Sequence, residues 1–167
     1  MNKKDILMEE CSSIIFDSNN ETLKMLLEKL VEIVREHNDI FEEIADLDFL
    51  DYIMKMDINE YLIGTNGDNF ELRLKEYMQR ENLSVEIIWQ GLSQLIWDLT
   101  VPVTKKICPL CRCDNLTLLV DKEKKHIYKS CENCFYITEN GMRIMRPNNL
   151  FPASIDMIKK YNYMQQI

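Results

Sequence analysis

Glycine, proline and histidine are scarce in this chain: its 167 residues include four glycines, four prolines and two histidines. So few glycines and prolines exclude a collagen-like chain and a low-complexity disordered one. With 46% hydrophobic and 29% charged residues, the composition is typical of a globular protein. At this length the chain can form one good core, or one core and a small metal-stabilised module.

Long apolar runs are missing as well. No stretch approaches the ~18 consecutive apolar residues of a membrane helix. Glu9 and Glu10 interrupt the apolar segment that a signal peptide would need after the basic N-terminal residues. We therefore expect a cytoplasmic protein that has no membrane partner.

The motifs of common enzyme classes are also absent. The sequence has no nucleophile elbow, no His-Glu-x-x-His zinc motif and no dinucleotide-binding loop. The glycine-containing loop at residues 64–68 lacks the Gly-Lys-Ser/Thr ending of a phosphate-binding loop. His37 and His126 have no evident catalytic partner in the sequence. We therefore expect a protein that is not an enzyme.

Charge is distributed unevenly along the chain. Residues 1–100 contain 9 Lys and Arg against 22 Asp and Glu, a net charge of −13, whereas residues 101–167 contain 11 against 6, a net charge of +5. A domain as acidic as the first is a poor surface for nucleic acid, because it repels phosphates. The last third of the chain is a modestly basic module.

Periodic apolar residues predict an all-α acidic domain over residues 1–101. The pattern predicts a short helix over residues 5–16, with Cys11 as a small core residue. A capping box from Ser18 to Glu21 is predicted to start a strongly amphipathic helix. Another helix is predicted to begin at Asp39 and to continue through Met54.

Helical patterns continue over residues 69–80 and again after Ser84, the predicted N-cap of the last helix of this domain. That helix has no Lys or Arg between Val85 and Val101. We interpret it as a core helix rather than a DNA-reading helix, with its tryptophans as packing anchors. Pro102 is predicted to end it, and residues 100–106 are interpreted as a connector.

The helix predicted from Asp39 carries an acidic side and has no basic residue before Lys55. Charge runs of this kind are common on solvated helix faces. The alternative is a docking surface, because a basic partner would relieve the repulsion between the carboxylates. The candidate partner-binding residues are Glu42, Glu43, Asp46, Asp48 and Asp51.

Two Cys-x-x-Cys pairs are the strongest chemical signal in the sequence. Cys108 and Cys111 form the first pair, and Cys131 and Cys134 form the second, separated from the first by residues 112–130. Each pair can present two thiolates from a tight turn, and the separation is typical of a tetrahedral Zn²⁺ site. The crowding of the cysteines favours a metal in a reducing compartment over a disulfide framework.

Short strands are predicted around these pairs, over residues 116–120 and 126–129, with a second hairpin turning at Asn140-Gly141. Cysteine turns that face each other and lead into small antiparallel strands resemble the zinc ribbon, over about residues 106–147. The resemblance implies one structural Zn²⁺ bound by Cys108, Cys111, Cys131 and Cys134.

Two other residues compete as ligands. Cys113 follows Cys111 after a single residue, a spacing that tends to splay the sulfurs, and His126 lies in a predicted strand without a partner at ligand spacing. Four thiolates close the coordination shell of zinc, so we expect a structural rather than a catalytic metal. Thiol redox chemistry at Cys108 and Cys111 would need a βαβ context that the sequence does not show.

These patterns together predict an α+β protein with three segments. An acidic all-α helical domain occupies residues 1–101, a small antiparallel zinc ribbon occupies residues 102–148, and a C-terminal helical tail occupies residues 149–167. Pro152 is predicted to start the helix of the tail.

The predicted function is that of a protein-binding module. In size, acidity and lack of catalytic motifs, the chain is similar to the immunity proteins and antitoxins that neutralise basic nuclease toxins. The resemblance implies a basic protein partner, such as a cognate toxin, whose cationic cleft would be filled by carboxylates.

The alternative is a transcriptional regulator that binds nucleic acid through its zinc ribbon. Basic side chains would line one side of the small sheet, and Tyr128 and Tyr136 would stack on bases. The acidic first domain would repel phosphates, so we prefer the protein-binding function. The candidate basic residues are Lys105, Lys106, Arg112, Lys122, Lys124, Lys125, Lys129, Arg143 and Arg146.

Overall fold

A computed structural model of the chain describes residues 3–17, 22–64 and 84–167. The predicted capping box at residues 18–21, most of the predicted loop at residues 64–68 and the predicted helix over residues 69–80 lie outside the described residues. Helices come first along the chain and antiparallel strands follow. The chain divides into two compact units, Met1–Ile58 with Gly67–Leu99 and Asn59–Asn66 with Thr100–Ile167.

The helical unit begins with α1 (Lys3–Asp17) and α2 (Leu23–Glu36). Thr22 caps α2, because its hydroxyl accepts a hydrogen bond of 3.5 Å from the N–H of Met25. The strongly amphipathic helix predicted here is confirmed by its buried face, which consists of Leu26, Leu27, Leu30, Val31, Ile33 and Val34.

The single helix predicted from Asp39 to Met54 is wrong. The structure contains two shorter helices, α3 (Asn38–Phe41) and α4 (Leu47–Met54). Asp46 has an extended backbone, with φ −63° and ψ 113°, and its carboxylate accepts hydrogen bonds from the N–H groups of Asp48 and Phe49. An aspartate that binds the amides after it favours a helix start over a helix interior, so the chain turns before α4.

The last helix of this unit is α5 (Val85–Thr100). The hydroxyl of Ser84 caps its first turn by accepting a hydrogen bond of 3.4 Å from the N–H of Ile87. Trp89 is buried, and its ring centroid lies 5.2 Å from that of Phe41. The prediction of Trp89 as a packing anchor is confirmed.

Six short strands form an antiparallel sheet in the second unit. Five of them lie in chain order across the sheet, the sixth pairs with the second strand, and the helix α6 (Ile155–Lys160) follows. The strands are β1 (Val103–Ile107), β2 (Asn115–Val120), β3 (Ile127–Ser130), β4 (Ile137–Glu139), β5 (Met142–Arg143) and β6 (Phe151–Pro152). The turn between β4 and β5 places Asn140 (φ 49°) and Gly141 (φ 83°) in the left-handed region, as a two-residue hairpin loop requires.

Two predictions about the ends of this unit are wrong. Residues 100–106 were expected as a connector, but residues 103–107 form β1, in which Val103 lies opposite Thr117. Pro152 was expected to begin a helix, but it lies in β6 opposite Leu119, and α6 begins after Ser154. A short strand at the side of a sheet tolerates proline, because few of its N–H groups must donate to a neighbour.

Candidate metal centre

The first cysteine pair lies in a turn that follows β1. The N–H of Cys108 donates to the carbonyl of Asp114 at 2.8 Å, and the N–H of Arg112 donates to the carbonyl of Cys108 at 3.0 Å. Arg112, directly after the second cysteine of the pair, has a left-handed backbone with φ 57°. These bonds close the turn, so both thiols of the pair are held on one side of it.

The second pair lies in an equivalent turn that follows β3. The N–H of Cys131 donates to the carbonyl of Tyr136 at 2.7 Å. Phe135, directly after Cys134, has φ 57°, the same left-handed value as the matching residue of the first turn. A bulky residue adopts this conformation only where the surrounding structure demands it, so both turns have specialised geometry.

The two turns bring the four thiols together. The Sγ atoms of Cys108 and Cys134 lie 3.5 Å apart, those of Cys111 and Cys131 lie 3.6 Å apart, and all four fall within 4.8 Å of one another. Zinc–sulfur bonds of about 2.3 Å in a tetrahedron place neighbouring sulfurs about 3.8 Å apart. The four cysteines can therefore hold a metal ion such as zinc with only small adjustments.

The pKa values of these thiols differ between the two turns. Burial disfavours ionisation of Cys108, but the backbone N–H groups of Cys111 and Leu110 outweigh it and hold the pKa of Cys108 below its usual value. The N–H of Cys113 lowers the pKa of Cys111 to about 6. The first turn is therefore organised to hold thiolates.

The second turn favours protonated thiols. Burial raises the pKa of Cys131 to about 12 and also raises the pKa of Cys134. Four thiolates this close together repel one another unless a cation neutralises them. A divalent ion would displace the protons that remain on these thiols, because a thiol must lose its proton to bind a metal.

The two competing ligands lie elsewhere. Cys113 is exposed, and its thiol donates to the carbonyl of Cys111 at 3.1 Å. It lies outside the group of four thiols. The Nδ1 atom of His126 lies 2.7 Å from Oδ2 of Asp121, in the loop between β2 and β3. The structure thus brings together the four thiols that the resemblance implies, and neither alternative joins them.

The five candidate partner-binding carboxylates occupy different kinds of position. Glu42 and Glu43 are exposed in the turn after α3. Asp46 is engaged as the cap of α4, and Asp48 follows it in the first turn of that helix. Asp51 pairs with Lys55 one turn further on, at 2.7 Å. They lie along α4 and the turn before it, rather than on one helix face.

A groove of about 410 Å³ lies beside α4. Its apolar residues are Leu47, Leu50 and Met54, and Leu47 is 64% exposed. Glu42 and Asp51 stand at the same groove, together with Asn38. The single helix predicted from Asp39 to Met54 would place these apolar residues on its core side, so the groove was not predicted. The i, i+3, i+7 spacing of the three apolar residues was the available signal.

The second unit presents another kind of surface. Phe135 is 69% exposed, with the guanidinium carbon of Arg146 lying 5.8 Å from its ring centroid. Arg143 lies at the same distance from the ring of Tyr136. The expectation that Tyr128 stacks on bases is wrong, because this side chain is buried in β3.

Comparison with protein-family models, with curated proteins and with solved structures found no match to this chain. The family resemblance of the cysteine module therefore depends on the four clustered thiols and the antiparallel strands alone. None of the helices among the described residues has the length and apolar character needed to cross a membrane.

Proposed function

We propose that the second unit is a zinc ribbon in which Cys108, Cys111, Cys131 and Cys134 bind one structural Zn²⁺. The clustering of the four sulfurs supports this proposal. A shell of four thiolates leaves no position for a water or a substrate, so the ion would stabilise the fold and would not catalyse a reaction. Zinc binding can supply on the order of 10 kcal/mol of folding free energy to a module of this size.

The zinc proposal is tested by metal analysis of the chain purified under reducing conditions. We expect one zinc per chain in the parent and in Cys113→Ser, and a loss of zinc in Cys108→Ser and Cys131→Ser. The Cys113→Ser variant is the matched control, because it removes a neighbouring thiol that lies outside the cluster. A parent without stoichiometric zinc would exclude the proposed site.

The function we propose for the whole chain is that of a non-enzymatic binding module that captures a basic protein. The groove beside α4 carries this proposal: apolar Leu47, Leu50 and Met54 lie next to the carboxylates of Glu42 and Asp51. Apolar contact area supplies affinity, and the surrounding carboxylates select a cationic partner and speed its association. By its likeness to immunity proteins, the chain would bind the cationic cleft of a nuclease toxin.

Charge-reversal variants test this proposal in binding assays with the product of the neighbouring open reading frame, if that product is a basic protein. We expect Glu42→Lys/Glu43→Lys to weaken binding by tenfold or more, by loss of attraction at the groove. Glu28→Lys/Glu32→Lys is the matched control, since both glutamates are exposed on α2 and the change in net charge is the same. Asp46 is left unchanged, because its replacement would remove the cap of α4.

Equal weakening by both double variants would indicate a general charge effect and would exclude the α4 groove as the binding surface. Absence of binding by the parent chain would contradict the capture of this partner altogether. Calorimetric titration at two salt concentrations distinguishes the groove from long-range attraction, because only the latter is strongly screened.

Nucleic-acid binding by the ribbon is the second candidate function, and the exposed Phe135 with Arg146 beside its ring favours it. An exposed aromatic ring next to a cation is the arrangement on which single-stranded bases stack. A gel-shift titration of the intact chain with single-stranded DNA and RNA tests this candidate. Retention that falls steeply with salt and is lost in Phe135→Ala would favour it over protein capture.

A further inference from the structure

A second cluster of metal-ligating side chains lies in the helical unit, far along the chain from the four clustered cysteines. It consists of Glu10 on α1, Glu36 at the end of α2, and His37, the C-cap residue of α2. One ligand atom from each of the three residues falls within 4.8 Å of the others. Neither the zinc ribbon nor the α4 groove uses these residues.

The imidazole of His37 is the centre of this cluster. The residue is 7% exposed, and its Nε2 atom lies 2.7 Å from Oε2 of Glu10. Glu36 is exposed, so its carboxylate can rotate towards the same point. This contact orients the ring so that Nε2 faces the carboxylate of Glu10, and a metal ion would replace the proton shared by these two atoms.

The attraction for a cation comes from side chains rather than from the backbone. His37 ends α2 and is also the residue before α3, where the N–H groups of Ile40 and Phe41 donate to its carbonyl. The partial negative charge at the end of α2 is therefore offset by the partial positive charge at the start of α3. The carboxylates of Glu10 and Glu36 supply the negative charge beside the imidazole nitrogen.

We propose that Glu10, Glu36 and His37 bind a divalent first-row transition-metal ion, distinct from the zinc of the ribbon. Three ligands leave coordination positions open to water, so the ion exchanges more readily than one enclosed by four thiolates. Oxygen and imidazole donors accept Mn²⁺, which thiolates bind poorly, and this difference separates the two sites chemically. The ion would link α1 to the end of α2.

Titration of the full-length, zinc-loaded chain with Mn²⁺ tests the proposal, with the two histidines as internal reporters. Paramagnetic Mn²⁺ is expected to broaden the C2–H proton resonance of His37 first. His126 provides the control. Its Nδ1 atom also faces a carboxylate, that of Asp121 at 2.7 Å. Among the described residues, however, His126 belongs to no cluster of three metal-ligating residues. Equal broadening of both histidines would overturn the proposal.

Substitutions distinguish a metal site from a structural hydrogen bond. We expect Glu10→Gln and Glu36→Gln each to reduce the Mn²⁺ affinity by at least about tenfold, because an amide is a poor replacement for a carboxylate ligand. Glu36→Gln is the sharper test: the residue is exposed and the change is isosteric, so the fold is retained. Glu28→Gln, which changes an exposed carboxylate of α2 outside the cluster, is expected to bind Mn²⁺ as the parent does. An unchanged affinity in Glu36→Gln would exclude the site.

Discussion

The guanidinium of Arg35 donates a hydrogen bond of 2.6 Å from Nη2 to the backbone carbonyl of Met56. The same nitrogen lies 3.4 Å from the carbonyl of Ile53. Both carbonyls belong to the C-terminal end of α4 and the residues after it, where carbonyls lack the partners of a helix interior. The carbonyl of Ile53 also accepts from the N–H of Met56 at 3.2 Å. A side chain of α2 therefore completes the end of α4, and it does so within the helical unit.

Removal of this interaction is expected to destabilise the protein. Arg35→Met keeps much of the length of the side chain but removes the donor to the Met56 carbonyl, at a cost of about 1 kcal/mol in the free energy of unfolding. The Ile53 carbonyl keeps the N–H of Met56 as a donor. Urea unfolding followed by circular dichroism measures the change. Arg35→Lys, which retains the charge but only a single donor nitrogen, is expected to lie between the parent and Arg35→Met. A variant Arg35→Met as stable as the parent would contradict the role of this contact.

The cap of α4 makes a separate prediction. Asp46→Ala is expected to lower the free energy of unfolding by about 1 kcal/mol, because the N–H groups of Asp48 and Phe49 lose their acceptor. Asp46→Asn, which keeps an acceptor oxygen, is expected to cost less. Glu43→Ala is the control, since this neighbouring carboxylate is exposed and does not cap the helix. Equal stability of Asp46→Ala and Glu43→Ala would show that the cap contributes nothing measurable.

The two cysteines outside the thiol cluster are expected to differ sharply in reactivity. Burial raises the pKa of Cys11 to about 12, whereas Cys113 is exposed. At about pH 8 very little of the Cys11 thiol is ionised, and the thiolate is the form that reacts with iodoacetamide. We expect mass spectrometry to show rapid alkylation of Cys113 in the native zinc-loaded protein and alkylation of Cys11 only in denaturant. Modification of both at similar rates would contradict the buried position of Cys11.

Zinc loading is expected to release a characteristic number of protons. At about pH 7.5, Cys111 is already ionised, since its pKa of about 6 lies below that pH, while Cys131, with a pKa of about 12, still holds its proton. The pKa of Cys134 is also raised and that of Cys108 is lowered. We therefore expect about two to three protons per zinc, measured by calorimetry in buffers of different ionisation enthalpy. Unperturbed thiols would release nearly four, because their usual pKa lies above this pH.

The pH dependence of the apparent zinc affinity follows from the same thiol pKa values. Below about pH 6 the thiol of Cys111 also takes up a proton, so zinc must then displace one proton more and the apparent affinity falls more steeply as the pH decreases. Competition with a chelator of known zinc affinity, repeated between about pH 5 and pH 8, measures this change. A slope that stays constant across pH 6 would contradict the lowered pKa of Cys111.

Local sequence patterns predicted several elements correctly. The period of the apolar residues was sufficient for α2 and α5, because each buries a single continuous stripe. Asn140 and Gly141 were sufficient for the last hairpin, since a two-residue turn needs residues that tolerate positive φ. The spacing of the cysteines indicated which four thiols would meet, because each pair lies within a single turn.

Patterns that depend on competition between nearby signals were read wrongly. The apolar residues from Ile40 to Met54 fit one helix, but the side chain of Asp46 binds the backbone after it and starts a new one. Proline is a common first residue of a helix. Pro152 nevertheless lies in a strand, because β2 offers it a partner at Leu119. Neither the new helix start at Asp46 nor the strand position of Pro152 can be predicted from the apolar periodicity or the helix propensity of its own segment.

By itself, then, the sequence determined the order of helices before strands, the placement of two cysteines in each turn, and the separation of acidic from basic residues along the chain. Tertiary structure decided how Cys108 approaches Cys134, where Arg35 finds its carbonyls, and how Glu10 reaches His37. This difference between what the sequence and what the tertiary structure determined has a physical reason. Periodicity and turn chemistry act over a few residues, whereas the approach of two distant side chains depends on how whole elements pack, and packing is a property of all their surfaces together.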